Sequence, residues 1–279
     1  MTEIKKLSNG FEYIEIQNSS ASAKIALQGA HIFEYKRIEE DNLFWLSEIS
    51  DFELGKAIRG GVPICWPSFG MNNPELPQHG FARTSLFEFV SSEEVDSNTT
   101  EIELRLTHSQ ESLKLWNYKF ELLLHVSISD KLIIELKTRN LDDKEFKLTQ
   151  AFHSYFKLSN ISNAVVKGLD NKPCFDALTN SNFIQSVDIV FKEEFDKVFQ
   201  KVDNELILQD KEKNISINNE GSSSVVIWNP WIEKCKRMSA MSDDAYKEFV
   251  CIESTNAFED FITLKPNGEH TLKATIIIS

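Results

Sequence analysis

Along most of this 279-residue chain, apolar and polar positions alternate with a period of two. Thr100–Thr107, reading TEIELRLT, places Ile102, Leu104 and Leu106 on one face and Glu101, Glu103 and Arg105 on the other. That is the signature of a half-buried strand. Similar runs predict strands at Phe11–Gln17, Lys24–Gln28, His31–Arg37, Leu86–Ser91, Tyr118–Ser129, Leu132–Thr138, Glu145–Phe152, Val165–Lys167, Glu205–Leu208, Ile215–Asn218, Ser224–Trp228, Phe249–Glu253, Phe261–Leu264 and His270–Ile278. Turn-forming residues separate them, as at Ser8-Asn9-Gly10, Ser129-Asp130, Asn219-Glu220-Gly221 and Pro266-Asn267-Gly268. Helical periodicity is scarce; Ser242–Lys247 is the one short helix expected, with Ser242 as its N-cap. Many short strands with almost no helix predict an all-β fold, a large antiparallel β-sandwich. No repeat, low-complexity tract or linker divides the chain, so a single domain over residues 1–279 is expected.

One segment breaks the alternation. Gly55–Arg83, GKAIRGGVPICWPSFGMNNPELPQHGFAR, holds five of the chain's 10 glycines and four of its 7 prolines. Proline fixes φ and removes a donor while glycine admits positive φ, so a long helix or central strand is excluded there. Ile58, Val62, Ile64, Trp66, Phe69 and Phe81 give the loop apolar mass to bury, which points to an ordered functional surface rather than a disordered linker. Two of the six arginines, Arg59 and Arg83, flank it, with His79 between them. A guanidinium is a planar fork suited to carboxylate or phosphate. The pair therefore reads either as a small anion site or as two surface ion pairs with some of the 43 acidic residues.

A net charge of −13 argues against a nucleic-acid groove or an anionic membrane surface as partner. No apolar stretch is long enough to span a membrane, and the first residues carry no signal-peptide core, which makes a cytoplasmic location the expectation. Cys65, Cys174, Cys235 and Cys251 are far apart and form no CxxC pair, so buried reduced thiols are expected and no metal site.

Three more stretches carry candidate chemistry. His153 sits in the aromatic run FHSYF, where a histidine is either a satisfied core residue or a catalyst. Glu253 ends the apolar run FVCIE; a carboxyl there is either at a strand end in water or buried, and burial makes it a usable base near neutral pH. Asp196 in EEFDKVF reads by itself as part of a charged, solvated turn. SVVIWNPW presents two tryptophans that are either core or a stacking platform for sugar. Phosphate-binding glycine loops, HExxH, GxSxG and dinucleotide fingerprints are all missing from the sequence, so nucleotide, metal and acyl-transfer chemistry have no support.

Taken in order, RGGVPICWPSFG (Arg59–Gly70), LPQHGFAR (Leu76–Arg83), FHSYF (Phe152–Phe156), EEFDKVF (Glu193–Phe199), WNPW (Trp228–Trp231) and FVCIE (Phe249–Glu253) resemble the aldose 1-epimerase (galactose mutarotase-like) superfamily. The match is to its hexose-6-phosphate mutarotase, or glucose-6-phosphate 1-epimerase, branch. The resemblance implies a supersandwich and a cofactor-free interconversion of the α and β anomers of a hexose 6-phosphate by a monomer. It also implies His153 as general acid and Glu253 as general base. His79, Gln78 and Asp196 would bind sugar hydroxyls, and Arg59 and Arg83 the 6-phosphate. The chain departs from the branch at Ser68, where a larger residue is usual, at Lys197 and Phe199 for Arg and Tyr, and in Ser254-Thr255-Asn256 after the base. Rival readings are a sugar-binding sensor without turnover, a mutarotase of unphosphorylated aldoses, and a glycoside hydrolase pairing Glu253 with Asp196.

Overall fold

In a computed structural model, residues 1–71, 73–211 and 213–279 are described. Antiparallel pairing dominates, as the alternation predicts. One sheet has nine strands, in the order Ile189–Val190, Ala164–Lys167, Leu206–Asp210, Lys213–Glu220, Glu269–Ile278, Lys131–Asn140, Phe120–Ile128, Thr100–Thr107 and Glu88–Glu94. A second has eight: Ser181–Ile184, Pro173–Asp176, Phe195–Gln200, Ser224–Asn229, Phe249–Asn256, Gln150–Phe152 and Ile64–Cys65, with Tyr155–Lys157 also paired to Phe249–Asn256. A four-stranded sheet formed by Thr2–Lys6, Glu12–Gln17, Ala21–Ala26 and His31–Arg37 lies at the N-terminal end of the chain.

The alternation decides which faces meet. Phe120, Leu122, Leu124, Val126 and Ile128 of the nine-stranded sheet are buried in one apolar core with Phe152, Phe199, Val225, Ile227, Val250 and Ile252 of the eight-stranded sheet. Each fully buried side chain of this size contributes about 1.5–3 kcal/mol relative to exposure. The eight-stranded sheet uses its other face differently. Tyr155, Val198, Val226, Trp228, Phe249 and Cys251 turn away from that core into a second cluster. Phe249–Asn256 is consequently buried along its whole length. Period two thus sends even-numbered residues of this strand to the sandwich core and Phe249, Cys251 and Glu253 to the opposite side.

The Pro/Gly-rich loop packs against this sheet without joining it for more than Ile64–Cys65 and a turn of 3-10 helix at Ala82–Thr84. Its course is fixed by backbone contacts. A Cβ on Gly80 would lie 2.1 Å from the carbonyl oxygen of Trp66, and one on Gly60 would lie 2.4 Å from that of Trp45, with both glycines at positive φ. Pro63 accepts the His153 amide at 3.0 Å and Gly61 accepts that of Tyr155 at 2.9 Å, so the loop is stitched to the FHSYF segment.

Four expectations need correction. Asp196 belongs to the strand Phe195–Gln200 and not to a turn; its neighbours Phe195, Val198 and Phe199 are buried in the sheet despite the local charge. Glu253 does not end its strand, which runs on to Asn256 because Ser254, Thr255 and Asn256 find partners for their polar groups inside. Glu145–Phe152 is two strands, Phe146–Leu148 and Gln150–Phe152, which pair with different neighbours. The helix at Ser242–Lys247 shrinks to the 3-10 turn Ala245–Lys247, preceded by Asp244 and without a side-chain cap.

The prediction here concerns the loop. Gly80→Ala forces a methyl group into a peptide carbonyl at a positive φ, so it lowers stability by more than about 2 kcal/mol. Gly10→Ala, where a Cβ meets nothing within 4 Å, is much milder. Thermal melts of the two variants followed by circular dichroism make the comparison.

Candidate active site

A cavity of 290 Å³ opens on the face of the eight-stranded sheet that the core does not use. All seven residues singled out as catalytic or substrate-binding line it: Arg59, Gln78, His79, Arg83, His153, Asp196 and Glu253. They come from the loop, from the break between Gln150–Phe152 and Tyr155–Lys157, and from two strands of the sheet. Cross-strand register explains the convergence. Asp196 pairs with Trp228, Trp228 with Cys251 and Cys251 with Tyr155, which makes one row across four strands. The adjacent row on the same face pairs Val198 with Val226 and Val226 with Glu253. A larger groove of 640 Å³ lies beside Leu86, Leu106 and Leu115 and carries none of these groups.

The centre of the cavity is a contact between imidazole and carboxyl. His153 Nε2 lies 3.4 Å from Glu253 Oε1, with the side chains 12% and 2% exposed. Among the described residues His153 Nδ1 and Glu253 Oε2 are buried without a hydrogen-bond partner, so the pair offers two unsatisfied polar atoms. Burial holds Glu253 well above the usual carboxyl range, and the charge of Asp196 adds to the effect. Burial also pushes His153 well below the ordinary imidazole value, helped by His79, Arg83 and Arg59. The distance is that of an ion pair, yet the surroundings disfavour either charge appearing alone. Both shifts favour the uncharged form of each group.

Around it the walls are specific. Tyr155 stacks on His153 with ring centroids 4.9 Å apart and planes at 11°, and Trp228 meets the His153 ring edge-on at 5.9 Å. His79 has positive φ, and its Nδ1 accepts the Gly70 amide at 3.3 Å, which leaves the ring proton on Nε2. Burial, with Arg83 and Arg59 nearby, pushes His79 down to about 3, so it is a neutral imidazole able to hydrogen-bond hydroxyls. The Arg59 guanidinium donates to Tyr155 Oη at 3.3 Å, and that of Arg83 to the Gln78 carbonyl at 2.7 Å. Among the described residues neither arginine is paired with a carboxylate, whereas Arg37, Arg105 and Arg139 each are.

Sequence reasoning missed Lys234. It lies on the short helix Trp231–Cys235, 2.9 Å from Glu194 and 3.5 Å from Asp196, with its ammonium over the Trp228 ring. Burial raises Asp196, and Lys234 opposes that shift. WNPWIEK gave no sign of this, because helical spacing cannot show which strand a five-residue helix folds back upon. Trp228 is core, as one reading had it: 7% exposed, it belongs to the second apolar cluster, and one side of it also lines the cavity. Ser68, the departure from the expected pattern, lines a separate cavity with Leu76, Trp116 and Phe261. Lys197 makes an ion pair with Asp176 at 3.3 Å away from the imidazole–carboxyl pair.

The aldose 1-epimerase profile matches residues 12–276. The chain belongs to that family. A protein of the grass Cenchrus ciliaris, provisionally named glucose-6-phosphate 1-epimerase, is 34% identical over 96% of this chain and 84% of its own length. One of Escherichia coli with the same provisional name is 33% identical over 93% of this chain and 88% of its own. The crystal structure of a provisionally assigned mutarotase from Salmonella typhimurium superposes with a TM-score of 0.93 at 30% identity, covering 100% of this chain and 93% of that one. The galactose mutarotase-like sandwich and the isomerase class of the family are thereby established for this chain.

Burial of Glu253 makes a stability prediction. Its folded-state pKa is raised, so below the ordinary carboxyl range the folded and unfolded chains are both protonated there and nothing is lost. As pH rises past that range the unfolded chain ionises first, and wild-type stability falls until the folded pKa is passed. Glu253→Gln removes this term. The variant melts above wild type, by a margin that grows from pH 5 to pH 8; a margin independent of pH would contradict the burial argument.

Proposed function

We propose that this protein is a hexose-6-phosphate mutarotase acting on glucose 6-phosphate or a closely related phosphosugar. The observation that carries the reading is the coexistence, in one cavity, of a buried imidazole–carboxyl contact at 3.4 Å and two guanidiniums that have no carboxylate partner among the described residues. The relatives provisionally named glucose-6-phosphate 1-epimerase support the substrate class. A cavity of 290 Å³ is near the lower end of the ~300–1,000 Å³ typical of ligand sites, which suits one sugar ring better than a glycan chain. Four buried free thiols suit a reducing compartment such as the cytoplasm.

Chemistry follows from one proton held between the two groups. In its charge-separated form Glu253 removes the proton from the anomeric hydroxyl while His153 protonates the ring oxygen. The bond between C1 and the ring oxygen breaks, giving the open-chain aldehyde. Rotation about C1–C2 and closure from the other face return the opposite anomer, with both protons passed back. Because the pair holds one proton before and after each step, no charge has to enter or leave the dry site. His79, Gln78 and Asp196 orient the hydroxyls. Arg59 and Arg83 grip the phosphate, so that binding far from C1 helps hold the reacting centre in place.

The direct test is two-dimensional exchange NMR of glucose 6-phosphate, with free glucose as control. Wild type accelerates anomer exchange, and His153→Ala and Glu253→Gln each lose about 10²–10⁴-fold. Activity falls on the acid side when the pair takes a second proton and on the alkaline side when it gives up the first. With His153 lowered and Glu253 raised, both limbs move outward and leave a broad plateau. The paired substitution Arg59→Ala/Arg83→Ala leaves the fold intact and raises KM for the phosphosugar strongly, with little effect on exchange of free glucose. An unchanged KM would sink the phosphate assignment, and saturable binding without acceleration would make the protein a sensor.

A further inference from the structure

Beside the acid–base pair lies a thiol to which neither the proposed reaction nor the cavity lining gives a role. Cys251 is two residues before Glu253 on the same strand, so both side chains emerge on one face. One nitrogen of His153, the Cys251 sulfur and one oxygen of Glu253 lie within 4.8 Å of one another. Imidazole, thiol and carboxyl are the three side-chain types that bind zinc. A tetrahedral zinc ion with the usual bond lengths spaces its nitrogen and oxygen ligands roughly 3.3–3.5 Å apart; the His153 Nε2–Glu253 Oε1 contact is 3.4 Å, while the group as a whole spans up to 4.8 Å, so the three side chains must draw together slightly around an ion. Glu253 is 2% exposed and its Oε2 has no partner, nor has His153 Nδ1, so the site already contains ligand atoms awaiting something.

We propose that His153, Cys251 and Glu253 form a capture site for a thiophilic divalent cation, Zn²⁺ foremost, whose binding excludes the sugar. Charge balance favours it. With thiol, carboxyl and imidazole all neutral, the trio carries no net charge. Zn²⁺ binds as its two positive charges replace two protons, one leaving the thiol and one the carboxyl for water, and the site is again neutral. A buried site that resists any net charge therefore accepts this exchange more readily than it accepts a free cation. Arg59 and Arg83 repel a cation and keep the affinity below that of a closed structural zinc site. No chemistry is assigned to the metal; it occupies the acid and the base and stops the reaction.

The inhibitory consequence rests on the proposed mutarotase activity, but the site itself is tested without it. Co²⁺ added to wild-type protein produces the near-ultraviolet thiolate charge-transfer band, at one ion per chain, and Cys251→Ala and Cys251→Ser lose it; because Cys251 is fully buried, the metal-free variants melt somewhat below wild type, yet they fold cooperatively and keep anomer exchange at the assay temperature. Zn²⁺ then slows exchange of glucose 6-phosphate in competition with the sugar, a chelator restores it, and the two variants are at least about tenfold less sensitive, a difference of about 1.4 kcal/mol in binding. A wild-type protein without the cobalt band, or variants as zinc-sensitive as wild type, overturns the site. A cobalt band in a protein that never accelerates exchange keeps the site and removes the mutarotase reading.

Discussion

An imidazole and a carboxyl held 3.4 Å apart, where desolvation disfavours a charge on either, set the terms for the rest of the molecule. Isolated, either charge would be expelled by desolvation; adjacent, each makes the other's charged form tolerable. The arrangement is unfavourable for folding, because an unpartnered carboxyl oxygen and ring nitrogen are held away from solvent. It persists because a large sandwich core lies immediately behind it. Phe152, Ile252 and Val250 alternate along the chain with His153, Glu253 and Cys251, so the segments that carry the site are anchored by the face that does not.

That division of labour answers how an all-β protein with little helix builds a reactive centre. Strands have two faces, and most sheets give one to the core and one to water. Here the second face is covered as well, by the Pro/Gly-rich loop and by aromatic side chains, until only a ring-sized opening is left. Trp228, Tyr155 and Phe249 form a cluster that is apolar by composition, and its Trp228 and Tyr155 also line the cavity. Lys234 closes one side by reaching from a short helix back over Trp228 to Asp196.

The sequence showed the sandwich because period two is a local property, visible in runs such as Thr100–Thr107, whose bounds the structure reproduces. It showed the loop because glycine and proline exclude the alternatives. Phe195–Gln200 was hidden, since Asp196 and Lys197 sit in a strand whose neighbours neutralise or cover them, and charge alone suggested a turn. The identities of His153 and Glu253 as candidates came from their unusual apolar settings and from family resemblance, but their 3.4 Å approach depends on the register between strands about a hundred residues of chain apart. Lys234 and the proximity of Cys251 to His153 are likewise products of register, and no spacing in the chain encodes them.

The close passes at Gly60, Gly61 and Gly80 have a consequence for descent and redesign. There the loop touches its surroundings through main-chain atoms, with no room for even one added carbon. Its path is therefore set mainly by the glycines, with the Arg83 guanidinium adding one bond to the Gln78 carbonyl. A lineage, or an engineer, could exchange Arg59, Gln78 and Arg83 and so change the chemistry of that wall of the cavity, while the frame around His153 and Glu253 stayed where it was. The glycines are the chassis, and the arginines are fittings bolted onto it.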